Sequence, residues 1–160
     1  MDLAFFIAAG LTGLYVGSMV ELESSNGAGS EPAGARQRLT ALREALLHLH
    51  KTLLESERAS YEAAFGQIGS PYHFLHLAAN DPWFAWLTPV TRLIATVDEA
   101  LDAKEPLTAA GVDSLVREAG KLLVATTDGE GFSRHYDEAL QRSPEVILAH
   151  AAAAKVIRSK

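Results

Sequence analysis

The helical character of this chain is clearest in residues 36–65, which read RQRLTALREALLHLHKTLLESERASYEAAF. Leucines recur there at intervals of three and four residues, the spacing that places side chains on one face of an α-helix. Further apolar residues widen the stripe, so it is broader than a two-stranded coiled coil requires. The stripe consists of Leu39, Leu42, Leu46, Leu49 and Leu53, and it is widened by Leu47, Leu54 and Tyr61. We therefore expect a core-facing helix of a bundle, ending near Phe65.

Four further helix starts are indicated where a capping residue directly precedes proline. The capping side chain can accept a hydrogen bond from an unpaired backbone N–H, and proline at the first helical position loses no hydrogen bond. These pairs are Ser70–Pro71, Asp81–Pro82, Thr88–Pro89 and Ser143–Pro144. At Pro89 a kink within one longer helix is the alternative, because one apolar stripe runs from Trp83 to Leu101. The pattern predicts an all-α fold, a bundle of four to six amphipathic helices over residues 36–160.

The last helix of this bundle is expected to run from Pro144 to about Ile157. Its apolar spacing predicts four residues that face the core. These residues are Ile147, Leu148, Ala151 and Ala154. No part of the chain shows the alternation of apolar and polar residues that indicates a half-buried strand.

A separate apolar helix is predicted at the N-terminus, over residues 1–22. Residues 3–20 carry no charge, and as a helix they would be about 27 Å long, close to the roughly 30 Å of a membrane's hydrocarbon core. Residues 23–35 are rich in Ser, Gly, Ala and Pro and indicate a flexible linker. We expect a single-pass transmembrane anchor. The alternatives are a cytoplasmic protein in which this helix is buried in the soluble fold, or an incorrectly assigned start site.

Small residues at four-residue spacing within the apolar run would let two such helices pack closely in lipid. They are Ala9, Gly13 and Gly17. A homo-oligomer is therefore one of the arrangements that the sequence allows.

Composition and charge limit the kinds of function. The chain has 160 residues, of which 48% are hydrophobic and 21% charged, as in a globular protein. The net charge of -6 argues against nucleic-acid binding, which needs a basic surface. The absence of cysteine excludes disulfides, thiolate metal sites and cysteine nucleophiles. Enzyme motifs such as Gly-x-Ser-x-Gly and His-Glu-x-x-His are also missing, so we predict no catalytic residue, no cofactor and no enzyme activity.

Three segments together resemble a small bacterial all-helical domain family of unknown function. They are Asp81–Leu87 (DPWFAWL), Asp98–Asp102 (DEALD) and the helix that begins at Gly131–Phe132. The resemblance covers residues 36–157. It implies a helical fold and brings no activity, cofactor or catalytic residue.

The densest aromatic cluster is the candidate contact surface. Trp83, Phe84 and Trp86 cannot all share one face of a helix, so at least one ring is expected at the surface, where aromatic side chains often anchor interfaces. Tyr72 lies on the neighbouring predicted helix. The alternative is a short helix buried on both sides. The preferred function is a non-catalytic module that binds an unknown protein partner and is tethered to a membrane through residues 3–20.

Histidines suggest a second function, a bundle that binds a metal or a small ligand. His73 and His76 are three residues apart and so close together on one helix. His50, or a carboxylate, could join them from another helix to complete a site. The alternative is that all three make ordinary surface or interhelical contacts.

Overall fold

The computed structural model of the protein describes residues 30–159, which form an all-α fold and contain no strand. Six α-helices and one 3-10 helix follow in order: α1 (Ser30–Phe65), α2 (Pro71–Asn80), the 3-10 helix (Pro82–Leu87), α3 (Thr88–Asp102), α4 (Ala109–Leu122), α5 (Phe132–Arg142) and α6 (Pro144–Arg158). The predicted fold class is confirmed. The predicted N-terminal helix over 1–22 lies outside the described residues. The first helix includes the last six residues of the predicted linker, residues 30–35.

Predicted caps start three of the elements. The side chains of Ser70, Asp81 and Ser143 accept hydrogen bonds from backbone N–H groups of the first turns of α2, the 3-10 helix and α6. The Thr88–Pro89 pair behaves differently, because α3 begins without a side-chain cap and follows the 3-10 helix directly. The hydroxyl of Thr88 instead donates to the carbonyl oxygen of Ala85 at 2.6 Å. The 3-10 helix and α3 therefore follow one another without an intervening loop.

Helix α1 is the centre of the bundle. Its 36 residues span about 54 Å, and it contacts α3, α4, α5, α6 and the 3-10 helix. The five leucines of its predicted stripe are fully buried. The helix ends at Gly66, whose positive φ of 95° suits a residue without a side chain, and whose N–H donates to the carbonyl oxygen of Glu62. Because so many elements rest on α1, side chains from distant parts of the sequence meet along it.

The predicted inward face of α6 is wrong. Val146, Ala149 and Ala153 are buried, whereas Leu148 is 71% exposed and Ile147 is half exposed. Alanines at a spacing of four let the backbones of α1 and α6 approach closely, so the small face packs inward. The helix carries apolar residues on every side, and periodicity alone could not select between its faces.

Within residues 30–159, no helix has both the length and the apolar character needed to cross a membrane.

Candidate functional site

The 3-10 helix determines which aromatic residues reach the surface. In this helix three residues complete a turn, so side chains three positions apart lie on the same side. Phe84 and Leu87 therefore share the buried side, and Trp83 and Trp86 share the other. Pro82 at the first position and the Asp81 cap fix the start of the segment. The sequence prediction assumed the 100° rotation of an α-helix.

Phe84 is a core residue, so its prediction as a contact residue is wrong. Its side chain is 2% exposed. The ring packs edge-to-face against Phe74 of α2, with centroids 5.9 Å apart, and lies 5.6 Å from the ring of Tyr61 on α1. Phe84 thus joins α1 and α2 to the 3-10 helix, and it supports Tyr61 from the core.

Tyr61, Phe65 and Trp83 form a cluster that we name the aromatic patch. The Phe65 and Trp83 rings meet edge-to-face at 5.4 Å, and Tyr61 lies 4.8 Å from Phe65 and 5.9 Å from Trp83. Phe65 is 65% exposed and Trp83 is 36% exposed. Phe65 was not predicted as a site residue. Its four-residue spacing from Tyr61 at the end of the helix was the available signal.

Tyr72 is 79% exposed on the first turn of α2. It is thus accessible, as predicted. Among the described residues, the ring contacts of the aromatic patch do not include it.

A cavity of about 350 Å³ adjoins the patch, and we name it the tryptophan cleft. The 3-10 helix, α1 and α5 form its walls. The described lining residues are Glu57, Pro82, Trp83, Trp86, His135, Glu138 and Arg142. Trp83 therefore belongs to both the patch and the cleft.

Charged and aromatic groups of the cleft are held in fixed pairs. Trp86 stacks on His135, with ring centroids 5.5 Å apart and planes inclined by 29°. Arg142 forms an ion pair with the buried carboxylate of Glu57. A buried carboxylate is costly without a partner, so this pair fixes α5 to α1. Glu138 accepts a hydrogen bond from the guanidinium of Arg134, on the same helix, at 3.1 Å.

A column of rings continues from the cleft into the bundle. Phe132 lies 5.6 Å from Trp86 and 5.2 Å from Tyr136, measured between ring centroids. The hydroxyl of Tyr136 is 2.7 Å from Nδ1 of His150. Burial raises the pKa of Tyr136 well above its usual value, and partial burial together with Arg158 lowers the pKa of His150. The hydrogen bond between the phenol and the imidazole joins α5 to α6.

The three predicted metal-ligand histidines do not form a site. His73 and His76 are exposed on α2, whereas His50 is buried on the inner side of α1. Nε2 of His50 lies 3.1 Å from Oγ1 of Thr91, and burial lowers the pKa of His50 to about 4. The described residues contain no group of three His, Cys, Asp or Glu side chains that could hold a metal ion. The prediction of a joint site is wrong because the histidines occupy different environments.

An open groove of about 890 Å³ runs between α1 and the start of α6. The exposed Leu148 stands at its edge. This groove was not predicted, because the sequence placed Leu148 in the core.

Comparison with known proteins found no matching family model, no similar curated protein and no similar solved structure. The resemblance to a bacterial helical family stays a prediction.

Proposed function

We propose that this protein is a non-catalytic interaction module that binds a protein partner through the aromatic patch and the adjoining tryptophan cleft. The observation that carries the proposal is the edge-to-face pair of Phe65 and Trp83 at the surface. Clustered apolar side chains at a surface mark interaction sites, and tryptophan is among the residues that most often carry binding energy.

The rings are held in place before any partner arrives. Tyr61 supports both exposed rings from below, and it rests in turn on the buried Phe84. The guanidinium of Arg58 lies 5.1 Å from the centroid of the Phe74 ring, next to Phe84. A surface that needs little ordering on binding loses less conformational entropy, which favours affinity.

The cleft supplies polar groups beside the apolar patch. Interfaces commonly combine an apolar centre with a polar, water-accessible rim. Trp83 occupies the boundary, with Phe65 on the patch side and the charged side chains of Glu138 and Arg142 on the cleft side. In this proposal the patch provides affinity and the cleft provides selectivity between partners.

A membrane tether through residues 3–20 is part of the proposal and rests on the length and apolar character of that run. Fractionation of the full chain and of a chain that begins at Arg36 tests it. The tether predicts that the full chain sediments with membranes and that the shorter chain stays in the supernatant. If both chains stay in the supernatant, the tether is refuted while the binding surface is unaffected.

Site-specific photo-cross-linking tests the binding surface. A photoreactive phenylalanine analogue replaces Phe65 in the full chain, and the protein is cross-linked within the cells that express it. The same analogue at the exposed Val124 is the matched control. We expect a discrete cross-linked protein from position 65, none from position 124, and loss of the product on Trp83→Ala. A cross-linked dimer of the chain would identify a second copy as the partner. Equal cross-linking from both positions, or none from position 65, refutes the proposal.

A further inference from the structure

A second cavity lies beside the 3-10 helix, with lining residues also from α1, α2 and α3, and it shares no lining residue with the aromatic patch. Its volume is about 280 Å³. The walls are mostly apolar. The described lining residues are His50, Leu54, Ala78, Ala79, Asn80, Asp81, Pro82, Phe84, Ala85, Leu87, Thr88 and Thr91. Ligand pockets typically combine apolar walls with a few fixed polar groups, and His50 and Thr91 are buried polar groups of this kind.

The two hydrogen bonds of Thr91 indicate one tautomer of His50. The Thr91 hydroxyl donates its single proton to the carbonyl oxygen of Leu87, one helical turn earlier, at 3.3 Å. Oγ1 of Thr91 also lies 3.1 Å from Nε2 of His50. Both bonds form at once only when Nε2 carries a hydrogen and donates it to Oγ1. Burial lowers the pKa of His50 to about 4, so the ring is neutral near pH 7 and Nδ1 carries a lone pair.

That lone pair on Nδ1 is not used within the protein. Nδ1 has no hydrogen-bond partner among the described residues. In the described part of the chain, Nε of Arg38 is the single side-chain atom that is both buried and unpaired. Nδ1 of His50 is therefore not fully buried, and His50 is one of the residues that line the cavity. An acceptor beside a mostly apolar cavity that has no partner within the protein favours a ligand that can donate to it.

We propose that this cavity binds a small, mostly apolar, uncharged molecule that carries one O–H or N–H donor, and that the donor is given to Nδ1 of His50. Asp81 is the only charged residue among the described lining residues, and its carboxylate already accepts from the N–H of Trp83 at 2.9 Å. A nearby carboxylate disfavours an anion. A cavity of roughly 150 Å³ suffices for benzene, so this one accommodates a phenol-sized molecule.

The test uses phenol as the probe and toluene, which has no hydrogen-bond donor, as the control compound. Each is titrated into the ¹⁵N-labelled full chain, and binding is followed by NMR. Phenol is expected to shift the amide signals around the cavity and the Nδ1 signal of His50. Toluene is expected to bind about tenfold more weakly, because it lacks one hydrogen bond. Equal affinities, no shifts at the cavity, or a hydrogen found on Nδ1 of His50 would overturn the proposal.

Two variants add an independent check. Ala79→Leu fills part of the cavity and should abolish phenol binding, whereas His50→Leu should remove the preference for phenol over toluene. His73→Leu, which changes an exposed histidine outside the cavity, should leave both affinities as they were. Unchanged binding of phenol to Ala79→Leu would place the bound probe elsewhere and refute the site. The aromatic patch is untouched by these variants, so either proposal can fail without the other.

Discussion

Acid is expected to destabilise this protein through the buried His50. Its pKa is about 4 in the folded protein and 6.5 in the unfolded chain. The unfolded state therefore takes up a proton that the folded state resists, and stability falls as the pH drops below 6.5 towards 4. The difference between the two pKa values corresponds to a loss of about 3 kcal/mol over this range. Against a typical total of about 5–15 kcal/mol, this is a large share of the stability.

Urea unfolding between pH 7 and pH 4, followed by far-ultraviolet circular dichroism, measures this loss. The comparison is between the unchanged protein, His50→Leu and the exposed-site control His73→Leu. Carboxylates and His150 titrate in all three proteins, so their contribution cancels in the differences. We expect the free energy of unfolding of His50→Leu to fall by about 3 kcal/mol less than that of the other two. The same pH dependence in His50→Leu and in the unchanged protein would contradict the assignment of His50 as a buried neutral imidazole.

Three further predictions concern packing and pairing, each measured by urea unfolding at pH 7. Arg142→Met leaves the buried carboxylate of Glu57 without its cation and should lower the free energy of unfolding by about 2 kcal/mol. Adding Glu57→Gln should recover most of this loss, and no recovery would mean that the two residues are not coupled. Val146→Ala should cost about 2 kcal/mol because Val146 is buried, and Leu148→Ala less than about 0.5 kcal/mol because Leu148 is exposed. A larger cost for Leu148→Ala would support the inward face predicted from the sequence. Tyr136→Phe should cost about 1 kcal/mol, because it removes the hydrogen bond between the buried tyrosine and His150. An unchanged stability would argue against that bond.

The helices could be predicted because their signals are local. Proline after a capping side chain marks the start of α6, and the end of α5 at Arg142 follows from the same Ser143–Pro144 pair. The leucine stripe of α1 predicts its buried face because leucines and charged residues alternate around the helix. In α6 this contrast is missing, and the prediction of its inward face failed there.

The sites could not be predicted because they depend on contacts between distant residues. His135 meets Trp86 and Arg142 meets Glu57 only after α5 has packed beside α1. The 3-10 geometry of residues 82–87 also moved Phe84 into the core and left Trp83 outside, and the sequence does not separate a 3-10 helix from a short α-helix. His50 was predicted as a metal ligand, and its contact with Thr91, 41 positions away in the sequence, could not be foreseen.

Both tryptophans of the chain lie on the 3-10 helix and line the same cleft. The tryptophan fluorescence of the unlabelled protein therefore originates from one place, with one indole partly exposed to water and the other stacked on an imidazole. A shift of the emission maximum on mixing with another molecule would report binding at the tryptophan cleft, and no dye or tag would be needed to observe it.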